Sequence, residues 1–300
     1  MELRQLKYFV TVAKTLSFSE AARKLFITQG TLSQQVKQLE DEMGTQLFAR
    51  TSHSVALTEA GEEFLPLALD TVESAESCYH HMIDMRGKVS GMLNIGMTSS
   101  FGELLTDAVK AFVRKYPDVT LNIYYKPALE LIEMLQNREV DIILAFKPFK
   151  EYEGIESELL FRSRLSVVMR KEHPLAGRKS LSFKEIEHQA IALPGSGLQA
   201  RRAFERFFGI DTRTLNVRIE LNDPVVIMDI VQGTNLITFL STLAAYYRPN
   251  LVAIPFEGGK YEMLGCVHRL QGGYHKRSAD LFLQTLRESP IVSHIDSWVY

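Results

Sequence analysis

The side chains best equipped for covalent or metal chemistry are too scattered in this chain to form a site. Cys78 and Cys266 lie far apart with no CxxC pair, and His80, His81, His173, His188, His268, His275 and His294 fall at no metal-ligand spacing. A zinc site and a disulfide framework are therefore not expected. No nucleophile elbow, P-loop or dinucleotide fingerprint is present, so neither an enzyme activity nor a cofactor is expected. The two thiols read as small inert hydrophobes, with a redox-sensing pair as the alternative. More telling chemistry sits on a segment starting at Gln29. Leu32, Val36, Leu39 and Met43 recur there at intervals of four, three and four, which leaves Gln29, Ser33, Gln34 and Lys37 on the opposite helical face. Amides and hydroxyls of that kind pair with base edges in a major groove, and the ammonium suits a phosphate. Taken alone, the same face equally describes a solvated helix surface, so its neighbours must decide.

Those neighbours form a pattern. Leu6, Phe9, Val10 and Ala13 make a first helical stripe, and Ser17 or Ser19 can cap a short second helix with the small residues Ala21 and Ala22. After a turn at Phe26 and Ile27, Thr28 caps the third helix and Gly44 stops it. Residues 46–57 read as a hairpin with a polar tip, Thr51-Ser52-His53-Ser54. A helix-turn-helix followed directly by a wing is predicted. Thr58 then caps a long amphipathic helix reaching about Arg86, with no local core, which predicts pairing with a second copy.

From Met92 the pattern becomes alternating strands and helices: strands over 93–97, 119–125 and 141–146, and helices over 104–113 and 129–135. It resumes with 165–169, 190–193, a helix over 200–208, then 217–221, 225–231 and 236–239. An α/β fold with a mainly parallel sheet is predicted. The strand over 93–97 runs straight into Thr98-Ser99-Ser100, hydroxyls at the carboxyl edge of the sheet. They either dock an anion or simply cap the next helix.

With 300 residues, 46% hydrophobic and 23% charged, the chain suits two or three folded domains. Its net charge of -2 excludes a protein that coats nucleic acid by charge alone. Within residues 1–62, seven cations are matched by seven acids, so any DNA contact is local and is doubled by dimerisation. No apolar run approaches a membrane span and the start lacks a signal core, so a cytoplasmic location without membrane contact is expected.

The runs Ser17-Phe18-Ser19-Glu20-Ala21-Ala22-Arg23-Lys24-Leu25, Thr28-Gln29-Gly30-Thr31-Leu32-Ser33-Gln34-Gln35-Val36, Leu47-Phe48-Ala49-Arg50 and Leu57-Thr58-Glu59-Ala60-Gly61 closely resemble the LysR-type DNA-binding domain. Looser similarity continues through Tyr116-Pro117-Asp118-Val119, Val140-Asp141-Ile142-Ile143 and Glu172-His173-Pro174-Leu175-Ala176. The resemblance implies a transcription regulator with a winged helix-turn-helix over 1–58 and a linker helix over 59–90. It further implies a two-lobed, periplasmic-binding-protein-like effector domain over 91–300, with lobe I about 91–163 and 267–300 and lobe II about 164–266. By the same resemblance Gln29, Thr31, Ser33 and Gln34 read bases, Lys37 and Arg50 contact the backbone, and His53 enters the minor groove. The chain departs from the family at Gly30, where Pro is common, and at Gln34 and His53, where Arg is common.

For the effector cleft the resemblance implies Thr98, Ser99, Ser100, Lys126, Ala128, Phe146 and Lys147 from lobe I, and Ser196, Leu198 and Asn222 from lobe II. Two lysines at one mouth either point to an anionic ligand or are simply surface cations. Implied partners are a double-stranded operator with an imperfect inverted repeat, a small-molecule effector, further copies of the chain as dimer or tetramer, and RNA polymerase. A cytoplasmic solute-binding protein is the competing class, opposed by the first 58 residues.

Overall fold

The structure, a computed structural model, describes residues 1–51, 54–84, 89–259, 261–272, 275–290 and 292. It divides into two compact units, Met1–Lys88 and Val89–Tyr300.

In the first unit, α1 (Leu3–Thr15), α2 (Phe18–Lys24) and α3 (Gln29–Met43) precede a hairpin of β1 (Phe48–Arg50) and β2 (Val55–Leu57), then α4 (Glu59–Asp84). Local chemistry sets these limits. The Ser17 hydroxyl accepts from the Glu20 N–H at 3.2 Å, the Thr28 hydroxyl from the Thr31 N–H at 3.2 Å, and the Thr58 hydroxyl from the Gly61 N–H at 3.0 Å. Gly44 closes α3 at φ 68°, a conformation glycine adopts freely. Leu6, Phe9, Leu32, Val36, Leu39 and Phe48 are buried together. The Phe9 ring lies 5.3 Å from Phe48 and 5.2 Å from Phe64, so α1 joins the hairpin to α4. The first half of α4 therefore has a local core, contrary to the sequence expectation. Phe64, Ala68 and Val72 pack onto the helix-turn-helix because α1 leaves a second apolar flank uncovered by α2 and α3.

The second unit contains β3 (Gly91–Met97), α5 (Gly102–Lys115), β4 (Val119–Tyr125), α6 (Ala128–Gln136), β5 (Ile142–Phe146), β6 (Ile155–Arg170), α7 (Phe183–Ile186) and β7 (Ile191–Pro194). It continues with α8 (Gln199–Phe208), β8 (Val217–Leu221), α9 (Pro224–Gln232), β9 (Thr238–Ser241), β10 (Leu251–Pro255), β11 (Glu262–Leu270) and α10 (Arg277–Arg287). One sheet runs β10-β6-β11-β5-β3-β4, with β9 also on β6, and β7 and β8 form a second parallel pair. The sheet is mixed rather than mainly parallel. β3 is parallel to β4 and β5, whereas β11 is antiparallel to β5 and β6, and β6 is antiparallel to β9 and β10. The reason is that β6 and β11, 16 and 9 residues long, run against their neighbours while passing from one lobe to the other. The lobe limits expected near 163 and 266 fall inside these two strands.

Candidate nucleic-acid interface and ligand cleft

The amino-terminal half of α3 is open. Leu32 and Val36 face inward, while Gln29, Gly30, Thr31, Gln34 and Lys37 are exposed and Ser33 is half-buried. The Ser19 hydroxyl donates to Gln29 Oε1 at 2.9 Å, which ties the reading end of α3 to α2. Thr31 Oγ1 lies 2.8 Å from Thr28 Oγ1 within the cap. Arg50 is engaged inside the domain: its guanidinium donates to Ser33 Oγ at 3.2 Å and to Glu40 Oε2 at 2.9 Å, and covers the Phe18 ring at 4.4 Å. The buried Glu40 accepts the Leu47 and Phe48 N–H groups at 2.9 and 3.0 Å through its other oxygen. One carboxylate thus fixes the wing to α3. The sequence reading assigned Glu40 no role beyond its place among the seven acids of residues 1–62, because its backbone partners lie seven and eight residues further along the chain. His53 lies outside the described residues.

In the second unit, the loops after β3 and β4 and the end of β5 meet the loops after β7 and β8 around a cavity of about 640 Å³. Thr98, Ser99, Ser100, Lys126, Ala128 and Phe146 line it from one side, and Ser196, Leu198 and Asn222 from the other. The hydroxyl run is not spent on helix capping: Phe101 is the N-cap of α5, and Thr98 makes no side-chain cap bond. Lys147 does not line the cavity. Its N–H donates to the Leu264 carbonyl at 2.7 Å, continuing the β5–β11 ladder, so its side chain falls in a separate hollow with Lys150, Tyr152 and His268. Lys126 is paired with Glu130 at 3.2 Å, and the acids Glu220 and Asp223 also line the cleft. The expected pair of lysines at one mouth is therefore absent, and with it the electrostatic argument for an anion. Burial pushes the Tyr125 phenol above its usual range, against the Ser99 hydrogen bond and with the help of Asp223.

Residues 3–62 match the family described as bacterial regulatory helix-turn-helix protein, lysR family, and residues 86–290 match the LysR substrate binding domain. The chain belongs to the LysR family. It is a DNA-binding transcription regulator whose C-terminal domain is an effector-binding domain. Similar proteins include the RuBisCO operon transcriptional regulator of Allochromatium vinosum, 27% identical over 86% of each chain. Another is the transcriptional activator CmpR of Synechocystis, 27% identical over 80% of this chain and 78% of its own. A full-length OxyR variant from Pseudomonas aeruginosa shares the fold, with TM-score 0.77 at 24% identity over 97% of this chain and 96% of that one.

Within this LysR regulator the cleft holds residues the sequence reading did not select: Tyr125, Gln199 and Glu220. Tyr125 ends β4 at the same sheet edge as Thr98, so the edge rule applied to every strand would have found it. Glu220 becomes visible only in three dimensions, through its approach to Arg201 at 3.5 Å. Burial holds the Cys266 thiol up at about 11, which disfavours the reactive thiolate, and Cys78 is exposed on α4. Among the described residues no group of acids, histidines and cysteines could hold a metal ion, and no helix is long and apolar enough to cross a membrane.

Proposed function

We propose that Gln29, Thr31, Ser33 and Gln34 read base edges in the major groove of an operator with an imperfect inverted repeat, while Lys37 and Arg50 contact phosphates and His53 reaches the minor groove. The observation that carries this reading is the exposed amino-terminal half of α3, capped by Thr28 and tied to the wing through Glu40. Arg50 serves a phosphate only with whatever donor capacity its bonds to Ser33 and Glu40 leave. Residues 1–58 act as the reading head, 59–90 as the dimerising linker and 91–300 as the sensor of a non-enzymatic, cytoplasmic regulator that acts on RNA polymerase as a dimer or tetramer.

The effector occupies the cleft, whose lining combines the polar Thr98, Ser100 and Ser196 with the apolar Phe146, Leu198 and Leu240. This lining suits a small molecule with an apolar body and a hydrogen-bonding end. By binding one arrangement of the subunits better than another, it changes the bend imposed on the operator.

Selection of bound DNA from a random pool at stated salt tests the reading and yields the half-site. Gln29→Ala should then weaken operator binding by about tenfold or more and leave random-DNA binding nearly unchanged. Lys37→Ala should weaken both and lower the salt slope by about one. Equal losses for both variants on both DNAs would overturn the assigned roles.

A further inference from the structure

Neither the backbone nor the core selects a phenylalanine at position 26. α2 ends with two bonds, from the Phe26 N–H to the Arg23 carbonyl at 3.2 Å and from the Ile27 N–H to the Ala22 carbonyl at 3.0 Å. That closure places the donor of the first bond in the left-handed conformation, where Gly or Asn is favoured. Phe26 sits there with φ 55°. The residue is 95% exposed, and no other described large hydrophobic residue is more so. Leu16, in the same conformation at φ 47°, is half covered at 50% exposure. Phe26 thus combines the strain of a left-handed residue with the cost of an uncovered ring, and no described residue of its domain covers it.

The surroundings indicate what does. Phe26 lies two positions before the Thr28 cap, so its backbone is within about 8 Å of the start of α3. Arg23 and Lys24 precede it, and Thr28, Gln29, Gly30 and Thr31 follow, all exposed. A single ring in a polar, partly cationic setting is too small for a protein interface but suits nucleic acid, whose grooves offer apolar CH surfaces beside phosphates.

We propose that Phe26 contacts DNA, its ring laid on an apolar CH surface of the operator next to the α3 site, either a thymine methyl or a deoxyribose face. The inference rests on α3 being the reading helix. The contact carries no charge, so it adds affinity for a placed site without counterion release.

The test uses the full-length protein, its selected operator, and the variants Phe26→Asn and Phe26→Tyr. Asn suits the left-handed backbone, so the expected result is an unchanged or raised Tm, operator affinity lowered by about tenfold, and an unchanged salt slope. Phe26→Tyr keeps the ring and should retain most of the affinity. Replacing operator thymines by deoxyuridine separates the two surfaces. If the methyl is the contact, wild-type affinity falls while the Asn variant loses nothing more; if the sugar is, the substitution leaves the Asn defect unchanged. Undiminished binding by Phe26→Asn, or a loss that accompanies a fall in Tm or a changed salt slope, would overturn the inference alone. Failure of the wild-type chain to bind any selected DNA would overturn the reading of α3 and this inference with it.

Discussion

His268 is buried on β11 with both ring nitrogens engaged, Nδ1 at 2.8 Å from Ser157 Oγ and Nε2 at 3.2 Å from the Ala145 carbonyl. A carbonyl only accepts, so Nε2 carries the proton and Nδ1 accepts from the serine hydroxyl. Burial disfavours the imidazolium and, despite the Ala145 bond and with the Lys147 charge adding to the effect, lowers the pKa from 6.5 to about 4. The unfolded chain therefore takes up a proton as pH falls through 6.5 while the folded chain does not, and stability is lost until about pH 4, where the folded state also protonates. Between pH 7.5 and 5 this group should cost about 2 kcal/mol. Urea unfolding across that window should show a correspondingly weaker pH dependence for His268→Gln; identical dependence would mean that His268 keeps its ordinary titration when folded. At this scale the sequence was partly legible. Thr98, Ser99 and Ser100 could be placed because they follow a strand end directly. His268 offered no such cue, because its partners lie 111 and 123 residues away.

Between elements, close approach sets the limits. A Cβ added at Gly61, in the first turn of α4, would lie 2.1 Å from the Leu47 carbonyl oxygen and 3.0 Å from Leu57 Cδ2. The oxygen belongs to the backbone that leads into β1 and accepts the Thr58 N–H, so it cannot simply rotate away. Gly61→Ala should therefore destabilise the N-terminal unit by about 2 kcal/mol or more, against the fraction of a kcal/mol that alanine normally gains inside a helix. Thermal unfolding of residues 1–88 checks this, and a variant as stable as wild type would mean that the hairpin yields freely. Helix limits were readable because caps are local: Ser17, Thr28, Thr58 and Gly44 each act within a few residues. β10, β11 and α10 were not readable. Leu251 pairs with Arg170 and Leu264 with Arg162, so these strands complete a sheet begun 80 to 100 residues earlier and lack the strand-helix alternation that marks the first half.

For the whole molecule, α4 carries two faces with different fates. Phe64 and Ala68 join the core of the N-terminal unit, whereas Leu67 and Met82 remain 63% and 57% exposed. Leu67, Thr71, Ser74 and Cys78 recur at intervals of four, three and four, with Met82 four further on, and all are exposed. That is the spacing of a seam between paired helices, and a single chain leaves it without an internal cover. Amphipathicity led the sequence reading to expect pairing, but the sequence could not show that the first half of α4 serves the local core. Both uses are compatible because they fall on different sides of the helix. Placing charges on the seam alone, as Leu67→Glu with Met82→Glu, should therefore leave the thermal stability of the isolated residues 1–88 nearly unchanged at a concentration low enough to keep them monomeric, and shift the full-length protein towards monomer in sedimentation equilibrium. Operator affinity should fall by on the order of a hundredfold, because two linked reading heads bind an inverted repeat with an effective concentration that separate heads lack. If the doubly charged variant sediments like wild type, the copies meet through another surface and α4 is a linker only. If it becomes monomeric yet keeps full operator affinity, one reading head suffices and the inverted repeat is not what the protein recognises.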